Sequence, residues 1–298
     1  MILNSANLRT LNTAFSAAYQ GAFDGAPRQF ERVATTVQST TKQNEYGWLG
    51  SFPKMREWIG DRVVHGLSTH DYAIRNKRWE LTIGVDKDDI EDDNVGIYTP
   101  MFQGMGRDTA TFADELIWPL LANGWNTLCY DGQNFFDTDH PVGGVGGAPV
   151  TSVSNSGGGS GAAWFLLDVS RPLKPLIFQN RRAFEFRRMD APTDEVVFDR
   201  NEYRYGVDGR CNVGFGFWQM AYGSKQTLDA TNYEAARVAM GSLKSDSGKP
   251  LALTPRLLVV PPSLEGAGKE ILESERNAAG ATNKWRNTAE LLMVPWLA

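Results

Sequence analysis

The apolar residues of this chain change period near residue 86. Trp79, Leu81, Ile83 and Val85 alternate with Glu80, Thr82, Gly84 and Asp86, the pattern of a strand with one buried face. An acidic run follows, Asp86-Lys87-Asp88-Asp89-Ile90-Glu91-Asp92-Asp93. Beyond it, apolar residues recur at helical spacing through Ile97, Met101, Met105, Phe112, Leu116, Leu120 and Leu121. That spacing predicts one long helix or two collinear ones, which Pro100 must start, kink or break. Acidic residues suit the positive end of a helix, and a bound cation is the alternative use of the run. Strand, acidic turn and long helix in direct succession make this a mixed α+β chain.

Other segments carry their own signatures. Leu8, Leu11, Phe15, Ala18, Tyr19 and Phe23 predict a helix over 5–24, stopped by Gly25 and Pro27. The same stripe suits a core helix or an arm lying on a neighbour. Residues 30–50 read as Thr- and Ser-rich and extended. Residues 61–86 predict a hairpin whose first arm is Val63 to Leu67 and whose polar tip, Ser68 to Lys77, projects towards another subunit. Residues 143–161, with Gly143-Gly144, Gly146-Gly147 and Gly157-Gly158-Gly159, read as a flexible loop serving as lid, linker or assembly contact. Strands are expected at 164–167, 176–178, 184–186 and 196–198, followed by an aromatic-rich stretch over 203–222. A helix opens at Thr231-Asn232-Tyr233-Glu234, a capping-box pattern. Leu257 to Val260 reads as a buried strand ended by Pro261-Pro262, Ser263 as the cap of a helix to Ser274, and Leu291 to Val294 as a last strand.

Composition narrows the function. Among 298 residues, 42% are hydrophobic and 22% charged, a folded and not a disordered profile. Thirty Lys and Arg against 35 Asp and Glu argue against a basic surface that wraps nucleic acid, though not against containing it. No run reaches the roughly 20 apolar residues of a membrane helix, and Met1 to Thr10 predicts no signal peptide. Two cysteines, Cys129 and Cys211, suit a reducing compartment, and three histidines are too few for a multi-His metal site.

Candidate chemistry is sparse. Gly266-Ala267-Gly268-Lys269-Glu270 fails as a phosphate loop, because the leading Gly is missing and Glu270 stands where Ser or Thr must hold magnesium. Asp137-Thr138-Asp139-His140-Pro141 offers two carboxylates and an imidazole for metal or acid–base work, but no second His-rich segment supplies further ligands and a turn is the favoured reading. Cys129 with His140 is a possible thiol–imidazole pair. Arg181-Arg182 and Arg187-Arg188 flank Phe184 and Phe186; this basic strand suits phosphates, or the acidic 86–93 segment of its own or another subunit, and the negative chain favours subunit pairing.

The residues also resemble a known family. Tyr46-Gly47-Trp48-Leu49-Gly50 and Arg56-Glu57-Trp58-Ile59-Gly60-Asp61-Arg62 resemble the front of the major head subunit of Mu-like phages and prophages. The resemblance continues through Asp89-Ile90-Glu91-Asp92-Asp93, Tyr130 to Pro141, Lys174 to Gln179 and Tyr203 to Asp208. It ends with Leu258 to Glu265 and Ala289 to Leu297, so it spans nearly the whole chain. It implies a major capsid protein with the Hong Kong 97 phage-type capsid fold. The implied parts are an N-terminal arm (1–45), an extended loop (46–86) and a peripheral domain with spine helix and sheet (87–130 and 164–223). A Gly-rich loop (131–163) and an axial domain (224–298) complete it.

The implied role is assembly of an icosahedral head shell in the host cytoplasm, ending in the virion. Implied partners are further copies in pentameric and hexameric capsomers, a scaffolding protein, a portal at one vertex, a decoration protein and double-stranded DNA held non-specifically. No cofactor, metal, membrane or catalytic residue is implied. Candidate inter-subunit contacts are Phe15 and Tyr19 on the arm, and Trp58, Arg62, Arg75, Lys77 and Arg78 on the extended loop. Asp89 and Asp92 in the acidic run and Arg181, Arg182, Arg187 and Arg188 complete the set. Some relatives of this fold link subunits through Lys and Asn; Lys77 lies near the loop tip, but no matched Asn or acid accompanies it, and no crosslink is expected. The rival readings are a tail-tube or neck-ring protein, and a metal-dependent enzyme using Asp137, Asp139 and His140.

Overall fold

The computed structural model describes residues 5–46, 72–92, 95–144, 149–191, 193–277 and 279–298. In chain order, helix α1 (Ser5–Gly25) is followed by strands β1 (Ala34–Gln38), β2 (Gln43–Glu45), β3 (Ala73–Arg75) and β4 (Lys77–Asp86). Short helix α2 (Lys87–Glu91) leads to the long α3 (Thr99–Ala122). Then come β5 (His140–Val142), β6 (Thr151–Val153), β7 (Ser156–Gly159), β8 (Trp164–Leu167) and β9 (Leu176–Met189). Helix α4 (Glu195–Arg200) joins β9 to β10 (Glu202–Phe215), and β11 (Ala221–Lys225) follows. The chain ends with α5 (Ala230–Gly241), β12 (Leu257–Val260), α6 (Glu265–Leu272) and β13 (Glu290–Met293).

The first sheet runs β1-β9-β10-β4. Tyr203, Tyr205 and Val207 of β10, Ile83 and Val85 of β4, and Phe184 and Phe186 of β9 turn one face towards α1 and the first half of α3. The α1 stripe forms as its spacing predicts, with Leu8, Leu11, Phe15 and Tyr19 buried. Gly25 and Pro27 end it, and Arg28 closes the end by donating to the Phe23 carbonyl (3.1 Å) and stacking on the Phe23 ring. Phe15 stacks on Phe102 of α3 at 4.2 Å, with Tyr205 edge-on to both rings.

Helix α3 starts where Pro100 permits, with the proline in its first turn. Its buried face is offset from the predicted one. Phe102, Met105, Gly106, Thr109, Ala110, Ala113, Asp114, Ile117, Trp118 and Leu121 face inward, while Ile97 and Met101 are exposed. Gly106 lies inward because α1 crosses close by. A Cβ on Gly106 would stand 2.2 Å from the Tyr19 carbonyl oxygen. The acidic run makes the separate helix α2, whose Asp86 side chain accepts from the Asp88 amide as an N-cap.

The second sheet runs β13-β12-β8-β11-β7. Both faces of its centre are buried, which is why β8 and β12 read as unbroken apolar runs. Phe165, Leu167, Leu257 and Val259 face the second half of α3 and the neighbouring loops; Trp164, Leu166, Leu258 and Val260 face α5 and α6. Each such side chain contributes about 1.5–3 kcal/mol by leaving water.

Several expectations are corrected. β4 pairs with β10, and Arg75 lies in β3 paired with β2, so the C-terminal part of the expected loop tip is paired strand. The expected first arm, Val63 to Leu67, lies outside the described residues. Val196-Val197-Phe198 is helical: α4 turns the chain between two 14-residue antiparallel strands and ends at Asn201 in the left-handed region (φ 54°). Asp229, not Thr231, caps α5, and no side chain caps α6. The Gly-rich stretch is largely folded. β5 and β6 form a hairpin, and β7 is an edge strand whose Gly157 and Gly159 admit Ser224 and the Lys225 backbone at distances no Cβ would allow. The division expected at residues 223 and 224 cuts across the second sheet, because β8 and β11 belong to it while β9 and β10 belong to the first.

Candidate assembly surfaces

The outer face of the first sheet is built from the residues that alternate with its core side chains. Register lines them up in rows across three strands. Arg78, Arg210 and Arg182 stand opposite one another on β4, β10 and β9. Two residues along, Glu80, Asp208 and Glu185 form an acidic row, and Thr82, Gly206 and Arg187 the next. Like charges directly opposite repel, so attraction has to run diagonally between rows. Arg182 pairs with Asp208, and Arg187 reaches both Asp208 (3.2 Å) and Glu185 (3.0 Å). Arg78 and Arg210 have no acidic partner among the described residues, and the buried Nε atoms of Arg182 and Arg210 have no acceptor.

At the other end of β4 the acids dominate. Asp86 to Asp92 holds five carboxylates and one Lys. Asp89 accepts the Tyr98 hydroxyl at 2.5 Å, Asp88 accepts from Asn201 at 2.9 Å, and Lys87 stands 3.9 Å from Glu91. Asp92 is exposed and meets no cation among the described residues.

The predicted contact residues therefore divide. Phe15 and Tyr19 are 1% and 4% exposed within their own subunit, so they are core side chains and not contacts to a neighbour. Arg182, Arg187 and Arg188 are engaged in their own chain, Arg188 with Asp190 at 3.2 Å. Asp89 is likewise engaged by Tyr98. Arg75 is exposed at the end of β3 and Lys77 and Arg78 at the start of β4, and Arg181 is half-buried on β9 without an ion pair among the described residues. Trp58 and Arg62 lie outside the described residues. Arg210 escaped the sequence reading because only register puts it beside Arg78 and Arg182. Phe198, 87% exposed on α4, escaped it through the strand misreading.

The proposed acid–imidazole cluster assembles differently from its sequence order. His140 is fully buried and stacks on Trp218 at 3.9 Å. Its Nδ1 lies 2.7 Å from Asp131 Oδ2 and its Nε2 3.2 Å from Asn155 Oδ1. The Asp137 carboxylate instead accepts the amides of Asn134 and Thr138, a turn function. Cys129 donates to Asp131 at 3.0 Å, so Cys129, Asp131 and His140 are one cluster of potential ligand atoms. Its donors and acceptors are matched to one another and to Asn155. Burial together with the Asp131 charge pushes the Cys129 thiol up, and burial raises Cys211 to about 12, so neither is a poised thiolate.

Burial alone would raise the Asp131 carboxyl, but hydrogen bonds from His140, Cys129 and the Gln133 amide hold it below the usual range. A carboxyl lowered on folding contributes stability above its unfolded pKa of about 3.9 and loses it as pH falls through the folded value. Wild-type urea midpoints are thus expected to drop on acidification below about pH 4. Asp131→Asn should start lower at pH 6 and show a shallower acid limb. Equal acid limbs for the two proteins would refute this role of Asp131. Asp114 has the opposite sign: burial raises its pKa, so ionising it costs stability.

No helix of the described residues is long and apolar enough to cross a membrane. The family model described as the Mu-like prophage major head subunit gpT matches residues 8–297. The major capsid protein of Escherichia phage Mu is 42% identical over 305 residues, covering 100% of both chains. Among solved structures, a subunit from the procapsid of bacteriophage JBD30 superposes with TM-score 0.88 at 48% identity, covering 99% of this chain and 100% of that one. A JBD30 capsid decorated with minor capsid protein trimers gives TM-score 0.77 at 35% identity, with both chains fully covered. Two charge-bearing sheet ends, an arm helix packed on a long helix, and this end-to-end likeness have one common account: the chain belongs to the Mu-like major head subunit family, the major capsid proteins that form the phage head shell.

Proposed function

We propose that copies of this chain close into pentameric and hexameric capsomers, and that these build an icosahedral head around double-stranded DNA. A scaffolding protein guides the shell, a portal occupies one vertex, and a decoration protein binds outside. The decoration seen on the related JBD30 capsid supports the last assignment. The observation that carries the reading is the end-to-end likeness to a procapsid subunit. Contacts that are weak singly are repeated around closed rings, so stability resides in the lattice more than in the monomer. Arg75, Lys77, Arg78, Asp92 and Arg181 are assigned to those contacts, with Trp58 and Arg62 on the extended loop. The role is structural, and DNA is cargo held without sequence reading. The net charge of −5 supports a wall that does not grip its phosphates.

Expression with and without the scaffolding partner, followed by negative-stain electron microscopy, tests the reading. Closed shells, or five- and six-fold rings, are expected. A monomer or dimer in both preparations would overturn it, and open helical tubes would favour a tail-tube role.

A further inference from the structure

The outer face of the first sheet holds an arrangement that an isolated subunit leaves incomplete. Arg78, Arg210 and Arg182 are direct cross-strand neighbours, and this placement of like charges is unfavourable. Among the described residues, Arg182 alone of the three has an acid to meet. Two guanidinium Nε atoms, of Arg182 and Arg210, are shielded from water and make no hydrogen bond among the described residues. Three guanidinium groups abreast, with a single acid between them among the described residues, leave positive charge on this face that an anion from outside would neutralise.

The chain carries that anion, at a place it cannot use itself. Asp86 to Asp92 has an excess of four negative charges, counting five acids against Lys87. Arg78 lies at one end of β4 and the acidic turn at the other. Eight residue steps separate Arg78 from Asp86, about 26 Å at roughly 3.3 Å per step. Opposite charges held at opposite ends of one strand cannot meet within a subunit. They meet when copies stand head to tail, and a heterologous contact of that kind closes into a ring when the rotation permits.

We propose that the Arg78–Arg210–Arg182 row is the docking site for the acidic turn Asp88–Asp92 of a second copy, so that each subunit offers its acids to one neighbour and its arginines to the other. The inference rests on the capsomer reading above and names one contact within it. Carboxylates fit the row because guanidinium groups bind them through paired hydrogen bonds. Exposed Glu91 and Asp92 lead the turn into the contact, while Asp88 and Asp89 keep their bonds to Asn201 and Tyr98.

The test uses the full chain produced with its scaffolding partner at low salt. Arg78→Glu/Arg210→Glu is compared with Glu91→Lys/Asp92→Lys and with a chain carrying all four changes. Each double variant should keep its circular dichroism and lose about tenfold or more of its assembled particles, since like-charge juxtaposition across an interface is costly. The fourfold variant, with the charges exchanged, should regain particles. Arg78→Glu alone repeats the test on an exposed edge position should Arg210→Glu prevent folding. Wild-type shells beside double variants that assemble equally well would overturn the contact and leave the capsomer reading intact. A folded fourfold variant that does not regain assembly would also overturn it. Normal shells that retain less DNA after Arg78→Glu/Arg210→Glu would place the row against phosphates instead. A wild-type chain that forms no rings or shells would overturn the capsomer reading and this contact with it.

Discussion

Asn155→Ala is expected to be among the most damaging single substitutions in the described fold, costing about 3–5 kcal/mol. Asn155 is 1% exposed and joins four segments through one amide. The two hydrogens of its Nδ2 serve three carbonyls, those of Phe135 (2.8 Å), Trp218 (3.3 Å) and Ala221 (3.2 Å), one hydrogen being shared. Its Oδ1 accepts the Asp137 amide at 2.9 Å and faces His140 Nε2 at 3.2 Å. Alanine leaves these groups buried without partners, and each carries a desolvation penalty of about 1–3 kcal/mol, not fully additive. Urea or thermal unfolding of unassembled protein measures the loss, expected to be at least about 6 °C in midpoint. Asn155→Asp should not rescue it, because a carboxylate has no hydrogen to donate to these carbonyls. A loss below about 1 kcal/mol for Asn155→Ala would show that the amide is not the hub its bonds describe.

Gly106→Val should separate α1 from α3. The first added carbon would stand 2.2 Å from the Tyr19 carbonyl oxygen and 3.1 Å from the Phe23 amide nitrogen. Both are backbone atoms of a packed helix, so neither can rotate away, and α1 as a whole must shift. The Phe15–Phe102 stack and the burial of Leu8, Leu11 and Tyr19 depend on that approach. Overpacking of this kind costs about 1–3 kcal/mol and more where backbone is struck. Brief trypsin treatment should cleave the variant at Arg9 and Arg28 while the wild type resists. Gly104→Ala is the control: nothing lies within 4 Å of its added carbon, so a gain of about 0.5–1 kcal/mol in helix propensity is expected. Equal protease resistance in Gly106→Val and wild type would refute the close approach.

Legibility in the sequence followed the range of the forces involved. The stripe of α1 was readable because its buried residues lie three and four apart on one helix. β8 and β12 were readable because burial on both faces leaves no polar position to interrupt them. The inward face of α3 was misplaced in part because Gly106 lies inward for how near α1 comes, which apolar counting does not register. Val196 to Phe198 has strand-like side chains, yet the antiparallel β9 and β10 demand a reversal there. The Gly-rich stretch looked unstructured because its glycines have weak strand preference by themselves; contact with Ser224 and Lys225 gives Gly157 and Gly159 their place.

The candidate site shows the same division. The acidic turn and the Arg181 to Arg188 segment are local clusters, and both stood out from the composition of a few residues. The motif words spread along the chain were also sufficient to indicate a head subunit. The arginine row could not be found that way: Arg78, Arg182 and Arg210 lie far apart in sequence, and only the registers of β4, β9 and β10 bring them abreast. His140 took Asp131 and Asn155 as partners and left Asp137, its sequence neighbour, to the turn. The mixed helix–strand class, the arm helix, the buried strands and the family follow from residues adjacent in the chain. The tertiary structure decided which strands share a sheet, which charges face each other and which aromatic residues are core. Period and composition are properties of neighbouring residues, whereas register, close helix approach and charge pairing depend on segments that meet only after the chain has folded.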